Sequence, residues 1–150
     1  MIYQTYLFDM DGTLLDTLDD LTAAANHTLA QYGYPQRTRE EVRQGLGNGA
    51  VKLIAALLPE GEDTPGFDAI MRDYKAWYQA HTCVETRPYP GIPELLDQLQ
   101  AAGVQCAVFS NKADALCGGI IAHYFGTGRF DAVRGNRPGV PTKPDPTGLY

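Results

Sequence analysis

The feature that most constrains the fold is a short apolar run, Ile2–Phe8, that ends in two closely spaced acidic residues. The run is rich in β-branched and aromatic side chains, which predicts a β-strand. Because it is almost continuously apolar towards its end, it is typical of a buried strand in a parallel sheet. Asp9 and Asp11 follow the strand, and Gly12 comes next. Since ligands of open α/β sheets bind beyond the carboxyl ends of the strands, these carboxylates mark a candidate site.

The rest of the chain has two parts of different character. Four helical patterns follow one another between Asp16 and about Glu85, and one of them begins with a capping box at Thr38. A stiff, turn-rich segment, Arg87–Gly91, then leads into alternating helical and strand-like patterns, which indicate an α/β sheet. We predict helices over residues 16–31, 38–45, 50–58, 67–81, 93–102 and 113–124, and further strands over residues 104–109 and 130–133. The expected fold is a Rossmann-like parallel α/β core of residues 1–15 and 86–150, with a helical domain of residues 16–85 inserted after the first strand.

The spacing of the two carboxylates suits a hard cation. Carboxylates at positions i and i+2 can converge on one metal ion, and Mg²⁺ is bound by a few carboxylates together with substrate phosphate. One carboxylate could then attack phosphorus while the other handles the proton of the leaving group. A calcium-binding loop would need glycine at its sixth position, which is Leu14 when counted from Asp9, and a helix before it. A simple acidic turn would leave two later phosphate-suited segments unexplained.

Those two segments lie in the second half of the chain. Ser110 and Asn111 follow a predicted strand and combine a hydroxyl, an amide and the expected start of a helix, which together suit an anion. A Ser-Asn pair is also common as a simple helix N-cap. Lys143 lies in the segment Pro141–Pro146, where prolines on both sides restrict its loop. Such a lysine is a candidate phosphate ligand, although most loop lysines are only solvated.

Composition limits the partners and the compartment. The formal charge of −6 gives an acidic surface, which repels nucleic acid and anionic membranes. The amino terminus shows no basic region followed by a long apolar run, so we expect neither a signal peptide nor a membrane span there. The three cysteines, Cys83, Cys106 and Cys117, form no CxxC pair and are expected to be reduced thiols. These features favour the cytoplasm.

The three segments together resemble a known family. FDMDGTL at Phe8–Leu14, FSN at Phe109–Asn111 and PTKPDP at Pro141–Pro146 are similar to the first three signature motifs of the haloacid dehalogenase (HAD) superfamily. The helical insertion resembles that family's small cap. The return at Tyr89-Pro90-Gly91 resembles bacterial members of the phosphoglycolate-phosphatase type. The resemblance implies an Mg²⁺-dependent phosphatase that acts on a small phosphorylated metabolite.

The resemblance also implies a role for each site residue. Asp9 would attack the phosphoryl group and form an aspartyl-phosphate. Asp11 would protonate the leaving group and later activate water. Mg²⁺ would be held by the Asp9 carboxylate and the main-chain carbonyl of Asp11. The residues expected to bind the phosphoryl group are Gly12, Thr13, Ser110, Asn111 and Lys143.

The resemblance also leaves alternatives open. The superfamily normally supplies further metal-binding acidic residues after the lysine motif, whereas this chain ends seven positions beyond Lys143. We therefore expect an incomplete core, an uncovered edge at Ile2–Phe8, and either marginal stability or self-association through that edge. A sugar-phosphate mutase of the same superfamily and a non-catalytic phosphate-binding module are the competing functions. A dehalogenase is disfavoured because such enzymes do not need Asp11.

Overall fold

The computed structural model describes residues 3–149, which form two compact units. The first, here called the core unit, contains the described residues up to Asp16 and those from Arg87 onward. The second, here called the helical unit, is Thr17–Thr86. Ile2, at which the first predicted strand was expected to begin, lies outside the described residues.

The six helices and the three longer strands follow the predicted order, and two short strands occur in addition. The helices are α1 (Leu18–Gln31), α2 (Arg39–Gln44), α3 (Gly49–Leu57), α4 (Phe67–Ala80), α5 (Ile92–Ala101) and α6 (Asp114–Phe125). The strands are β1 (Thr5–Phe8), β2 (Leu15–Asp16), β3 (Arg87–Pro88), β4 (Gln105–Ala113) and β5 (Ala132–Asn136). Short 3-10 helices occur at Gly61–Asp63 and Pro146–Leu149.

The sheet of the core unit is parallel. Within residues 3–149 it has three strands in the order β1–β4–β5, so the central strand comes from the middle of the sequence. Phe8 pairs with Val108, and Val108 in turn pairs with Val133. Val108, Leu96 and Ile120 are almost fully buried, which shows that apolar side chains of β4, α5 and α6 form the core of this unit. The predicted α/β fold with a parallel sheet is confirmed, and the carboxyl ends of the three strands share one edge.

Strand β1 differs from the prediction in its burial. Tyr6 is 38% exposed and Leu7 is 52% exposed, so the buried strand that the apolar run indicates is not observed, and the exposure agrees with the uncovered edge expected for this strand. The reason is its place in the sheet, because β4 is its one partner strand among the described residues. A continuous apolar run indicates a strand that can be buried, but it does not predict how many strands and helices pack against that strand.

Strand β4 is longer than predicted. It continues from Phe109 through Ser110 and Asn111 to Ala113, with an irregular register against β5 over these residues. Helix α6 begins only at Asp114. The start of this helix lies within one residue of the prediction, whereas the alternative that Ser110 and Asn111 form its N-cap is wrong, because both residues lie in extended backbone.

A small antiparallel ribbon joins the two ends of the core unit where the helical unit is inserted. β2 pairs with β3, and the Tyr89 N–H donates to the carbonyl of Leu14 at 3.1 Å. This ribbon was not predicted, since two residues on each side are too few to produce an alternating pattern.

The helical unit is built around α1. Helix α1 packs against α2 and α4, and its buried Leu21 and Leu29 contribute to a core that also contains Ile54 and Tyr74. Thr38 caps α2 through the predicted capping box, in which its hydroxyl accepts from the Glu41 N–H. Among residues 3–149, no helix has the length and apolar character needed to cross a membrane.

Candidate functional site

The acidic motif lies in a tight turn directly after β1. The Met10 carbonyl accepts hydrogen bonds from the N–H groups of Leu14 and Leu15 at 3.0 and 3.1 Å, and the Met10 side chain is completely buried. Gly12 has a φ of +78°, a backbone conformation that residues with a Cβ rarely adopt. The turn therefore anchors its apolar residue in the core directly after β1.

Asp9 forms an ion pair with Lys143. The lysine Nζ lies 2.9 Å from Asp9 Oδ1, and the same oxygen accepts the Met10 N–H at 2.8 Å. The side chain of Asp9 remains 45% exposed and that of Lys143 27% exposed. A carboxylate that carries a cation and still faces solvent can be reached by a small anionic molecule.

Lys143 is held in place by residues of β4. Its Nζ donates to the Phe109 carbonyl at 2.7 Å and lies 5.5 Å from the centre of the Phe109 ring. Asn111 Oδ1 accepts from the Lys143 N–H at 2.7 Å, and Asn111 Nδ2 donates to the Lys143 carbonyl at 3.3 Å. These contacts fix a loop lysine against the carboxyl end of the central strand, beside Asp9.

Asp11 forms a second ion pair, with Lys112. Lys112 Nζ lies 3.3 Å from Asp11 Oδ1, and the two side chains are only 7% and 14% exposed. Each of the two acidic residues of the motif thus has its own lysine. Sequence reasoning did not identify Lys112, although its position directly after Ser110 and Asn111 was a usable signal.

The remaining residues predicted to bind phosphate have other contacts in the structure. Ser110 is 2% exposed, and its Oγ accepts from the Lys112 N–H at 3.1 Å. The N–H of Gly12 donates to the Leu15 carbonyl at 2.9 Å, and that of Thr13 donates to the Met10 carbonyl at 3.2 Å. These two amides therefore stabilise the turn. Their predicted contacts with phosphate, and those of Ser110 and Asn111, stay predictions.

The thiol nearest to this site is not suited to nucleophilic chemistry. Cys117 is fully buried, and its Sγ donates to the carbonyls of Ala113 and Lys112 at 3.4 and 3.7 Å. Burial raises the pKa of the Cys117 thiol to about 12. Because the thiolate is the reactive form of cysteine, a thiol that holds its proton this tightly is inert at neutral pH.

The two carboxylates provide a small set of ligands for a cation. Among residues 3–149, no group of three or more His, Cys, Asp and Glu side chains is placed to hold a metal ion. Mg²⁺ keeps several waters and commonly uses one or two carboxylates with substrate phosphate, so the half-exposed Asp9 fits such a site. Asp11 can contribute an oxygen from the same turn.

Comparisons with known proteins identify relatives of this chain. Residues 6–150 match the family described as haloacid dehalogenase-like hydrolase. The chain is 38% identical over 112 residues to an N-acetylmuramic acid 6-phosphate phosphatase from Pseudomonas aeruginosa, covering 75% of this chain and 50% of that protein. It is 34% identical over 147 residues to a phosphoglycolate phosphatase from Nitrosospira multiformis, covering 95% of this chain and 65% of that protein.

A solved structure shows the same fold. The crystal structure of a predicted phosphoglycolate phosphatase from Haemophilus somnus superposes with a TM-score of 0.90 at 27% identity, covering 99% of this chain and 69% of that chain. The chain spans half of the P. aeruginosa relative and about two thirds of the other. The sequence match over residues 6–150 and the shared fold show that this chain belongs to the haloacid dehalogenase-like hydrolase family.

Proposed function

We propose that the chain carries the nucleophile, the acid–base residue and the phosphate-binding lysine of a Mg²⁺-dependent phosphomonoesterase. The observation that carries this proposal is the contact of 2.9 Å between Asp9 Oδ1 and Lys143 Nζ at the carboxyl end of the sheet. A carboxylate and a phosphate repel each other. A lysine that already contacts the carboxylate can also contact the phosphoryl oxygens and offset that repulsion.

The proposed reaction has two steps on the same aspartate. In the first, a carboxylate oxygen of Asp9 forms a bond to phosphorus while the ester P–O bond breaks, and the leaving oxygen takes the proton of Asp11. In the second, Asp11 accepts a proton from water as the water oxygen attacks phosphorus, and the bond between phosphorus and Asp9 breaks. Asp9 is regenerated and inorganic phosphate is released.

The positive charge that a phosphate needs would come from groups in the site itself. Mg²⁺ held by Asp9 and Asp11 would neutralise the phosphate and fix its position when bound. Lys143 would contribute a fixed cation on the same side, which matters because the formal charge of the whole chain is −6. Ser110, on the neighbouring strand, is proposed as a hydroxyl ligand of the phosphoryl group. The helical unit is proposed to act as a cap that sets the choice of substrate.

The proposed substrate class is a small phosphorylated metabolite similar to phosphoglycolate. The relatives support the ester chemistry, since the matched proteins are phosphatases of phosphoglycolate and of N-acetylmuramic acid 6-phosphate. These two substrates differ in the size of the alcohol that carries the phosphate. The comparison therefore supports a phosphate monoester as the substrate class more strongly than it supports any particular ester. A soluble, cytoplasmic location agrees with such substrates.

The test is phosphate release by the 150-residue chain from 2-phosphoglycolate, N-acetylmuramic acid 6-phosphate and p-nitrophenyl phosphate, with Mg²⁺ and with EDTA. We expect Mg²⁺-dependent release that is lost in Asp9→Asn, because an amide is not a nucleophile. Asp19→Asn is the matched control, since Asp19 is an exposed carboxylate paired with Arg39 in the helical unit. Phosphate transfer between sugar phosphates with little release would favour a mutase. Phosphate binding without turnover would favour a non-catalytic module.

A further inference from the structure

The segment of residues 143–148, here called the Lys143 segment, packs against Phe109 at its first residue. The Phe109 carbonyl accepts a hydrogen bond from Lys143 Nζ at 2.7 Å, and the centre of its ring lies 5.5 Å from the same nitrogen. Phe109 belongs to the central strand β4 and is almost fully buried. Because an aromatic face attracts a cation, the position of this ring influences where the ammonium group lies.

The last residue of the Lys143 segment packs against the tip of the same ring. Gly148 is buried in the short 3-10 helix Pro146–Leu149. A Cβ at this position would lie 2.6 Å from Phe109 Cζ and 2.9 Å from Phe109 Cε2, whereas ordinary van der Waals contacts begin at 3.4 Å. The absence of a side chain at Gly148 therefore leaves the space that the ring occupies.

Packing, and not backbone conformation, explains why this position needs glycine. Gly148 is not among the glycines with a positive φ, so its backbone conformation also suits alanine. A methyl group here would require the ring tip to move by about 0.8 Å to reach an ordinary contact distance. The small residue at 148 and the large ring at 109 are thus matched in size.

Hydrogen bonds inside the Lys143 segment make it move as one piece. Asp145 Oδ1 accepts from the Thr147 N–H at 2.8 Å, and the Asp145 N–H donates to the Thr142 carbonyl at 3.1 Å. A side chain at position 148 therefore has two ways to relieve its contact with the ring. It can displace the ring beneath the ammonium group of Lys143, or it can displace the segment that carries this lysine.

We propose that Phe109 and Gly148 are positioning residues that together determine where the Lys143 ammonium group lies relative to Asp9. This inference rests on the proposed phosphomonoesterase function, in which Lys143 contacts the phosphoryl group. Gly148 leaves room for the ring, and the ring and carbonyl of Phe109 hold the ammonium group. The ammonium group then lies 2.9 Å from Asp9 Oδ1.

The first experiment compares Gly148→Ala with the unmodified 150-residue chain. We expect kcat/KM for p-nitrophenyl phosphate to fall by about 10- to 100-fold, since misplacement of a group by about 1 Å can cost about 10²-fold. The Kd of inorganic phosphate, measured by calorimetry with Mg²⁺ present, should rise as well. Gly119→Ala is the matched control, because a Cβ on this glycine of α6 would meet nothing within 4 Å. Its kcat/KM and phosphate affinity should stay close to those of the unmodified chain.

A smaller side chain at position 109 tests the size match. Phe109→Leu keeps the carbonyl that accepts from Lys143 Nζ and removes the ring. Alone it should lower kcat/KM by about two- to fivefold, the size of an ordinary cation–π contact. Combined with Gly148→Ala it removes the steric conflict, so the double variant should be more active, and bind phosphate more tightly, than Gly148→Ala.

A cycle with Lys143→Met separates positioning of the ammonium group from a purely structural role. Without that group, Gly148→Ala should lower kcat/KM by a much smaller factor than it does in the unmodified chain. If Gly148→Ala alone does not fold, as judged by circular dichroism, the double variant with Phe109→Leu decides. Relief of the contact should allow that variant to fold and to bind phosphate, and a double variant that stays unfolded would contradict the inference.

Three further results would overturn the inference. They are unchanged kcat/KM and phosphate affinity in Gly148→Ala, a double variant no better than Gly148→Ala, and an undiminished effect of Gly148→Ala when Lys143 is replaced by Met. Failure of the proposed function looks different, because the unmodified chain would then release no phosphate with Mg²⁺. Phosphate binding by the same variants would still test the inference in that case, and absence of phosphate binding by the unmodified chain would overturn both.

Discussion

Asn111 holds both main-chain groups of Lys143: its Oδ1 accepts from the lysine N–H at 2.7 Å, and its Nδ2 donates to the lysine carbonyl at 3.3 Å. The Asn111 carboxamide thereby makes the two hydrogen bonds to the Lys143 main chain that the backbone of a neighbouring strand would otherwise make. The Lys143 loop depends on this contact for its register against β4, and the register determines whether the ammonium reaches Asp9. Asn111 and Lys143, both predicted site residues, are thus linked, and Asn111 acts by positioning Lys143.

Asn111→Ala should reduce activity more than it reduces stability. Loss of two hydrogen bonds is expected to lower the free energy of unfolding by about 1–3 kcal/mol. Displacement of the Lys143 ammonium by about 1 Å is enough to lower kcat/KM by about 10²-fold. The measurements are urea unfolding and steady-state turnover of phosphate esters.

The chain offers a matched control for this prediction. Asn26 holds Arg37 in the same way in the helical unit, with hydrogen bonds of 2.7 Å to its N–H and 2.9 Å to its carbonyl. Asn26→Ala should therefore cost a similar free energy of unfolding and leave kcat/KM for p-nitrophenyl phosphate nearly unchanged. Equal activity losses in the two variants would show that the effect of Asn111 is only on stability.

Gly135→Ala should destabilise the core unit strongly. An added Cβ would lie 2.5 Å from both the Asp114 Cα and the Lys112 carbonyl oxygen, and backbone atoms cannot move aside as a flexible side chain can. We expect a loss of about 3 kcal/mol or more in the free energy of unfolding, since overpacking typically costs about 1–3 kcal/mol even where side chains can adjust. Thermal unfolding followed by circular dichroism measures it.

Gly118→Ala is the control for this substitution. Gly118 lies within α6, and a Cβ there would meet nothing within 4 Å. Replacement of a helical glycine by alanine should raise the free energy of unfolding by about 0.5–1 kcal/mol. A destabilisation by Gly118→Ala as large as that by Gly135→Ala would contradict the steric explanation.

The sequence predicted most of the fold because the main elements have strong patterns. Apolar residues at helical spacing mark α1 and α4, and the capping box at Thr38 places the start of α2 correctly. The errors concern features that depend on neighbours. The exposure of Leu7 depends on which strands lie beside β1, and the extension of β4 through Ser110 depends on pairing with β5.

The candidate site was predictable only in part, for a similar reason. Asp9, Asp11 and Lys143 were identifiable from local sequence, because prolines, glycine and acidic spacing are local signals. The pairing of Asp11 with Lys112 joins residues 101 positions apart, as the numbering shows, and no periodic pattern reports such a contact. The association expected for the edge strand stays a prediction.

Asp20→Asn should destabilise the helical unit. The Asp20 carboxylate is 2% exposed and accepts hydrogen bonds from the N–H groups of Val84, Glu85 and Thr86 at 2.8 to 3.0 Å. The Thr86 hydroxyl donates to it as well, at 2.7 Å. An amide would place an NH₂ group opposite some of these donors, so we expect a loss of about 2–4 kcal/mol in the free energy of unfolding.

The neighbouring carboxylate provides the control for Asp20→Asn. Asp19 is exposed and pairs with Arg39 at the surface, where an ion pair contributes about 0–1 kcal/mol. Asp19→Asn should therefore shift the urea midpoint only slightly. Similar shifts in the two variants would mean that Asp20 does not hold the end of the helical unit as the structure indicates.

Cys117 makes the free energy of unfolding depend on pH in the alkaline range. Burial raises the pKa of its thiol from the ordinary value of 9.0 to about 12, so the folded chain holds this proton more tightly than the unfolded chain does. The resulting stabilisation is complete below pH 9 and is lost as the pH rises from 9 towards 12. Cys117→Ala removes this dependence, so the difference in the free energy of unfolding between the unmodified chain and the variant should shrink over that range. Urea unfolding at pH 8, 9.5 and 10.5 measures it. A difference that stays constant would show that the thiol is not buried in the folded chain.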